Sequence, residues 1–327
     1  MKKALYIFFA GVLLFLICAV VLYAASAVEL GPSSIRVNEK NATLSSPYSS
    51  VKILQLTDIQ LTTVSDADRA FPIVEEMIKK TSPDLIVLTG DNVADGSSRE
   101  VVDLLINFFD GFKIPWALVF GNHDHNSAVS MDEFSSLLSE SEYSIFKTGA
   151  LSDRYGNYYY NLNLGMRCVR TLIFMDSEKS AFTKEQIEWY RDTVNTVTEE
   201  RGRVVPSFVF FHIPIVETVA AHAEYEKTPA IGSGVMREDV CEQDGNSGFF
   251  DAAKSLGSTD ALFYGHDHVN NTIIEYDGIT FCYGLKTGKN SYYDDDLQGA
   301  NLITVTKNGY TVDRIYAESA KNAQNTN

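Results

Sequence analysis

Five short blocks of this chain end an apolar run on aspartate, asparagine or histidine. Residues 51–56 run into Thr57, Asp58 and Gln60, and residues 85–88 run into Gly90, Asp91 and Asn92. Residues 116–120 stop at Gly121 and hand over to Asn122, His123 and Asp124. Residues 208–211 deliver His212 just before Pro214, and residues 261–264 deliver Gly265, His266, Asp267 and His268. This is how a buried strand ends when its carboxyl end carries a site: glycine lets the backbone turn, and the polar residues after it face a crevice. Five of the six histidines fall in these blocks, so the imidazoles are concentrated where the carboxylates are. Carboxylates able to bridge two cations, with neutral imidazoles to hold each one, are what a two-metal hydrolytic centre needs. Each residue alone has a commoner task. Asp58 or Asp91 would serve as a helix N-cap, and His212, amid Phe and Ile, as a hydrogen-bonded core histidine. The ordered recurrence of the blocks carries the argument.

A scaffold must bring the blocks together, and the rest of the pattern supplies one. Residues 66–80 read as a helix with Phe71, Val74, Met77 and Ile78 on one face. Residues 98–109 and 131–138 read as two more. Residues 155–164 and 168–175 read as antiparallel strands turning at Gly165. Thr183 and Gln186 form a capping-box start for a helix toward Glu200. Residues 203–211 return to the sheet, and 261–315 is strand after strand, with Gly278 and Gly309 in turns. Strands alternating with helices give an α/β class, and the absence of an internal repeat or second linker gives one domain over 51–317 with a polar tail at 318–327.

The ordered blocks, Asp-x-Gln, Gly-Asp, Gly-Asn-His-Asp, His and Gly-His-x-His, resemble the calcineurin-like metallophosphoesterase superfamily over residues 51–315. Two longer stretches, REDVCEQDGNSGFFDAAKSLGSTDALFYGHDHVNN (237–271) and ITFCYGLKTGKNSYY (279–293), are similar to its short purple-acid-phosphatase-like branch of plants and yeast. The resemblance implies a four-layer αββα sandwich of two mixed sheets and two divalent ions, Mn, Fe or Zn. Asp58, Asp91 and His268 would hold the first ion, with Gln60 where the family usually has histidine. Asp91 would bridge to a second, held also by Asn122, His212 and His266. It further implies a metal-bridging hydroxide as nucleophile on a phosphate ester, and His123 as proton donor to the leaving oxygen.

Two departures qualify the resemblance. The Gln60 amide offers only a carbonyl oxygen, a weaker ligand than imidazole for transition metals. Position 94, three residues after Asp91, is alanine. Purple acid phosphatases have a tyrosine ligand there, and the protein phosphatases an aspartate that supports the catalytic histidine. Besides monoester hydrolysis, two alternatives stand: a phosphodiesterase for cyclic nucleotides or lipid head groups, and a metal-binding surface protein that has lost turnover through Gln60. The insert 217–245 is expected to shape the pocket. His222 reads as a surface residue, and Asp294, Asp295 and Asp296 as a solvated loop.

The 43 acidic against 27 basic residues give a net charge of −16, which argues against a nucleic-acid-binding patch and for a solvated acidic surface. Lys2 and Lys3 precede an apolar run over 4–25, long enough to cross a bilayer. The lysines orient it with the amino terminus in the cytoplasm, so 1–27 reads as a signal-anchor, or as a signal peptide cleaved at Ala25-Ser26-Ala27. The catalytic domain would then be membrane-tethered and extracytoplasmic, or secreted if cleaved. Residues 28–50 read as a linker with a short edge strand at 35–38. Outside the apolar run, Cys168, Cys241 and Cys282 are an odd number without a CxxC pair, and Cys168 and Cys282 sit in apolar runs as small hydrophobes.

Overall fold

From Ser33 onward the stretch expected to be a linker is folded. The structure, a computed structural model, describes residues 33–318 apart from 152–154 and 179; the segment 1–27, expected to be a signal-anchor or signal peptide, lies outside them. Strands β1 (Arg36–Asn38) and β2 (Thr43–Ser46) pair antiparallel, and β2 adds itself to the edge of a large sheet. Their approach is fixed by polar anchors: Ser33 Oγ donates to Asp84 O at 2.7 Å and Ser34 Oγ to Asp84 Oδ1 at 2.5 Å. The two strands are short and expose β1 entirely, so they carry almost none of the apolar alternation that marks a strand.

A five-stranded mixed sheet carries the first three blocks. Strands β3 (Ser50–Leu56), β4 (Leu85–Thr89) and β5 (Trp116–Val119) lie parallel and adjacent. Every residue of β4 and β5 is buried, as expected of strands covered on both faces. Helix α1 (Ala67–Thr81) makes the crossover from β3 to β4, and α2 (Arg99–Asp110) the next; α1 buries Phe71, Val74, Met77 and Ile78 as its periodicity predicts. Phe109 of α2 packs on Trp116 of β5, with ring centroids 5.6 Å apart. Helix α3 (Met131–Glu140) follows β5. The antiparallel strands β13 (Gly299–Thr306) and β14 (Gly309–Tyr316) complete the sheet on the β3 side.

The other blocks belong to a nine-stranded mixed sheet. Strands β6 (Tyr158–Leu164) and β7 (Arg167–Phe174) form the expected hairpin. Helix α4 (Lys184–Arg201) starts at the Thr183/Gln186 capping box. Strand β8 (Ser207–Phe210) then lies between β7 and β10 (Thr259–Tyr264), parallel to both. The insert holds helix α5 (Glu217–Lys227) and the two-residue β9 (Gly232–Ser233); α6 (Phe249–Leu256) precedes β10. Strands β11 (Ile273–Tyr276) and β12 (Ile279–Tyr283) complete the sheet, β12 parallel to β10. Side chains alternate across it. Val209, Phe211, Leu262 and Tyr264 face a core with α4 and α6, while Phe208 faces inward and meets Tyr310 of β14, centroids 4.8 Å apart. The layers therefore run helix, sheet, sheet, helix.

A buried amide seam joins the sheets where the central strands end. Gln55 Nε2 donates to Tyr264 O and Thr89 Oγ1, both at 3.1 Å. Asn301 Nδ2 donates to Gln55 Oε1 at 2.9 Å and Tyr283 O at 2.8 Å. These buried hydrogen bonds run from one sheet to the other and so fix the register between them. The carboxyl ends of β3, β4 and β5 thereby converge with those of β8 and β10. Among the described residues no helix is long and apolar enough to cross a membrane.

Candidate metal centre

The convergence begins in the backbone. Asp58, Gln60, Asp91 and His266 have φ of 56°, 52°, 51° and 79°, a left-handed conformation that residues with a Cβ adopt at a cost of roughly 1–3 kcal/mol each. The turn before Asp91 needs its glycine: Gly90 has φ 91°, and a Cβ there would collide with the His212 ring. A Cβ at Gly121 would collide with the Asp91 carboxylate. The strand ends are packed so tightly on one another that the glycines of the blocks are dictated by space.

The side chains divide into two groups that share Asp91. Ligand atoms of Asp91, His212 and His266 lie within 4.8 Å of one another, and so do those of Asp58, Asp91 and His268. Asp91 Oδ2 is 3.1 Å from His212 Nε2, and His212 Nε2 is 3.3 Å from His266 Nδ1. Asp58 Oδ1 is 3.3 Å from His268 Nε2. His212, Asp58 and Asp91 are all but fully buried. Burial opposes ionisation of Asp58, yet His268 and His212 hold its carboxyl well below the usual range; Asp91 is lowered against burial in the same way by His212. Burial opposes a charge on His212 too, but the Asp91 and Asp58 carboxylates raise it to about 10. Burial and His212 push His266 down to about 4. Two buried carboxylates here demand positive partners.

The donors fit divalent ions by their own chemistry. Asp58 Oδ1 and Asn122 Oδ1 are buried and accept no hydrogen bond. His212 Nδ1 lies 2.8 Å from Thr89 O and His268 Nδ1 2.8 Å from Tyr292 O. A carbonyl can only accept, so each Nδ1 carries a proton, and each ring turns its Nε2 toward the carboxylates, where a divalent ion would displace any proton on it. Gln60 is oriented differently. Its Oε1 accepts from Lys286 Nζ at 3.0 Å, and its Nε2 donates to Asp91 Oδ2 at 3.3 Å. Turned over, the amide would set donor against ammonium and oxygen against carboxylate.

The family model for calcineurin-like phosphoesterases matches residues 51–270. This chain belongs to that family. It is 32% identical over 251 residues to "Probable inactive purple acid phosphatase 28" of Arabidopsis thaliana, covering 67% of this chain and 62% of that one. It is 29% identical over 275 residues to "Phosphatase DCR2" of Saccharomyces cerevisiae, covering 71% and 47%. The phosphoesterase chain thus spans less than two thirds of either relative. A dimetal phosphatase from Danio rerio shares the fold at 13% identity with a TM-score of 0.53, over 80% of this chain and 98% of that one.

Several residues of this phosphoesterase centre escaped the sequence patterns. Asp95, one position beyond the alanine where the protein phosphatases have their supporting aspartate, sits with Oδ1 2.7 Å from His123 Nδ1. His123 itself is half-exposed, its Nε2 3.8 Å from Asp91 Oδ2, and its backbone N–H donates to Asp91 Oδ1 at 2.9 Å. Asp124 is a clasp rather than a ligand: it accepts from Asn92 N, Val93 N, Gly121 N and Asn92 Nδ2, binding the second block to the third. Burial and Asp91 push it up to about 6 against those donors. Cys241 could join His266 and Asp267 as a third donor group, but Asp267 already accepts from Tyr283 Oη and Cys241 N.

Two expectations are corrected. His222 is 2% exposed, not a surface residue; its Nε2 meets Thr272 Oγ1 at 2.7 Å on the buried side of α5. Burial lowers it to about 4. The acidic run is not simply solvated: Asp294 and Asp296 ion-pair with Arg237, and Asp295 with Lys289. Arg237 N also donates to Asn270 Oδ1 at 2.9 Å, so these pairs pin the insert beside His268.

Proposed function

We propose that this chain hydrolyses phosphate esters at a dinuclear centre bridged by Asp91. The observation that supports it most is that Asp91 belongs to both ligand groups, Asp91–His212–His266 and Asp58–Asp91–His268. When bound, two divalent ions would activate water and polarise the phosphoryl oxygens for in-line displacement. Asn122, His212 and His266 would hold one ion with Asp91, and Asp58 and His268 the other. His123 supplies the acid. Asp95 accepts the Nδ1 proton, which leaves Nε2 to carry a proton to the leaving oxygen. On the strength of Lys2, Lys3 and the apolar run over 4–25, the reaction belongs on the exported side of the membrane. A reporter fused after Asn327 that is active only in the cytoplasm would contradict that placement.

A second reading has its own support. The Gln60 carbonyl is engaged by Lys286, and an Arabidopsis relative bears the name "probable inactive", so this chain would be a metal-binding surface protein with weakened turnover. Nitrophenyl monoester and bis-nitrophenyl diester, each with Mn²⁺, Zn²⁺ or Fe²⁺, separate the readings. Metal-dependent turnover of the monoester above the diester is expected. Preference for the diester makes the chain a phosphodiesterase, and binding of metal without turnover of either ester favours the second reading.

A further inference from the structure

Lys286 is the one buried lysine among the described residues, 1% exposed. It follows β12, and the chain there bridges to Thr57 beside the first block; Thr287 N donates to Thr57 O at 2.9 Å. The ammonium donates to Asp58 O at 2.7 Å and to Gln60 Oε1 at 3.0 Å. Both acceptors are uncharged oxygens, so neither hydrogen bond neutralises the charge. Burying an ammonium costs several kcal/mol unless a counter-charge is near, and the charges near it are carboxylates: Asp58 and Asp91 of the site, then Glu238 of the insert. Among the described residues, a lysine thus sits on the Asp58 side of the centre, while the His212 side has only the imidazoles that would themselves bind the ion.

We infer that Lys286 is a resident cation of the Asp58 half of the centre, which withholds the Gln60 carbonyl from an ion and repels an ion placed there. The Asp91–His212–His266–Asn122 half then holds one divalent ion firmly, and the Asp58–His268 half takes its ion only at higher metal concentration. Two effects of Lys286 act together. The hydrogen bond fixes the Gln60 amide with nitrogen toward Asp91, removing an oxygen donor. Its charge opposes any second cation through a buried, weakly screened medium. Lys286 acts as a positioning residue here, through Gln60 and through its charge. The inference rests on the dinuclear reading above, since it assigns unequal strengths to that reading's two halves.

The test titrates the full metal-free chain with Mn²⁺, reading bound metal by equilibrium dialysis and ion–ion coupling by electron paramagnetic resonance. The wild-type chain is expected to bind one ion with an isolated-ion spectrum, and a second only at free Mn²⁺ at least roughly tenfold higher. Lys286→Met keeps the length and removes the charge. It is expected to tighten the second ion by at least about tenfold, so that a coupled spectrum appears at two equivalents. A merely structural lysine predicts the opposite sign, because its loss would loosen Asp58 and Gln60 and weaken the second ion. Weakened or unchanged second-ion binding in a folded Lys286→Met chain would therefore overturn the inference. So would two ions of equal affinity in the wild type, a result that needs no variant to fold. Failure to bind any Mn²⁺ would overturn the dinuclear reading itself, and the two failures are told apart by whether the first ion binds.

Discussion

Around Asp91 the centre divides into two neighbourhoods. On one side His212 and His266 approach the carboxylate as imidazoles, and Asn122 offers an unbonded oxygen. On the other side Asp58 and His268 are joined by Gln60 and by the buried ammonium of Lys286. Both sides are built on strained strand ends and tight glycines, so the backbone does not tell them apart. What differs is charge. One half meets its carboxylate with ligand imidazoles alone, whose protons an ion would displace, and the other adds a fixed ammonium that is not a ligand. A ligand set read from sequence counts donors, whereas affinity depends also on what else is charged nearby.

The sharpest way to break this contrast is to remove the shared carboxylate. Asp91→Ala is expected to lose both bound ions and all measurable turnover together; retention of one ion by dialysis would show that Asp91 is not the bridge. Asp58→Asn acts on one half alone. It should abolish turnover while leaving one tightly bound Mn²⁺, and loss of both ions would contradict the ranking of the halves.

Next in size, His123→Ala is expected to slow esters with poor leaving groups by about 10²–10⁴-fold with metal content intact, and nitrophenyl esters by less. If metal is lost as in Asp91→Ala, His123 is a ligand instead. Asp95→Asn keeps an acceptor for Nδ1 and removes the charge, so about a tenfold loss with the same leaving-group trend is expected. Equal losses on good and poor leaving groups would show that Asp95 does not act through His123.

The smallest effect separates site imidazoles from a structural one. His222 is lowered to about 4 by burial. The unfolded chain, with histidine near 6.5, therefore binds more protons than the folded chain below that pH, and stability falls as pH drops from about 6.5 toward 4. His222→Gln should flatten this part of the Tm–pH profile without changing metal binding. An unchanged slope would mean that His222 does not drive it.

The centre was legible because its residues terminate apolar strands, and the switch from apolar to polar is a one-dimensional signal. Asp58, Asp91, His212, His266 and His268 meet as that signal implied. The residues that went unread lack it. Lys286 lies in a mixed Gly-Leu-Lys-Thr-Gly run and reaches the site only because β12 adjoins β10. Asp95 stands one residue beyond the position where the protein phosphatases carry their supporting aspartate, and it reaches His123 from a different loop. The β1–β2 pair is too short and polar to show a period. Burial of His222 depends on which face α5 turns to β12, where Tyr283 lies 5.5 Å from its ring.

Asp58, Asp91 and Asn122 follow strands of the five-stranded sheet, while His212, His266 and His268 follow strands of the nine-stranded one. Neither sheet alone can assemble either ligand group. An ion held here would span the two sheets as a rivet spans two plates, above the Gln55–Asn301 seam. Metal uptake would then await docking of the sheets, and a folding intermediate with one sheet formed would have little affinity. The binding free energy of the ion would enter the stability of the whole domain, so a chelator would shift one global unfolding transition instead of loosening a local loop.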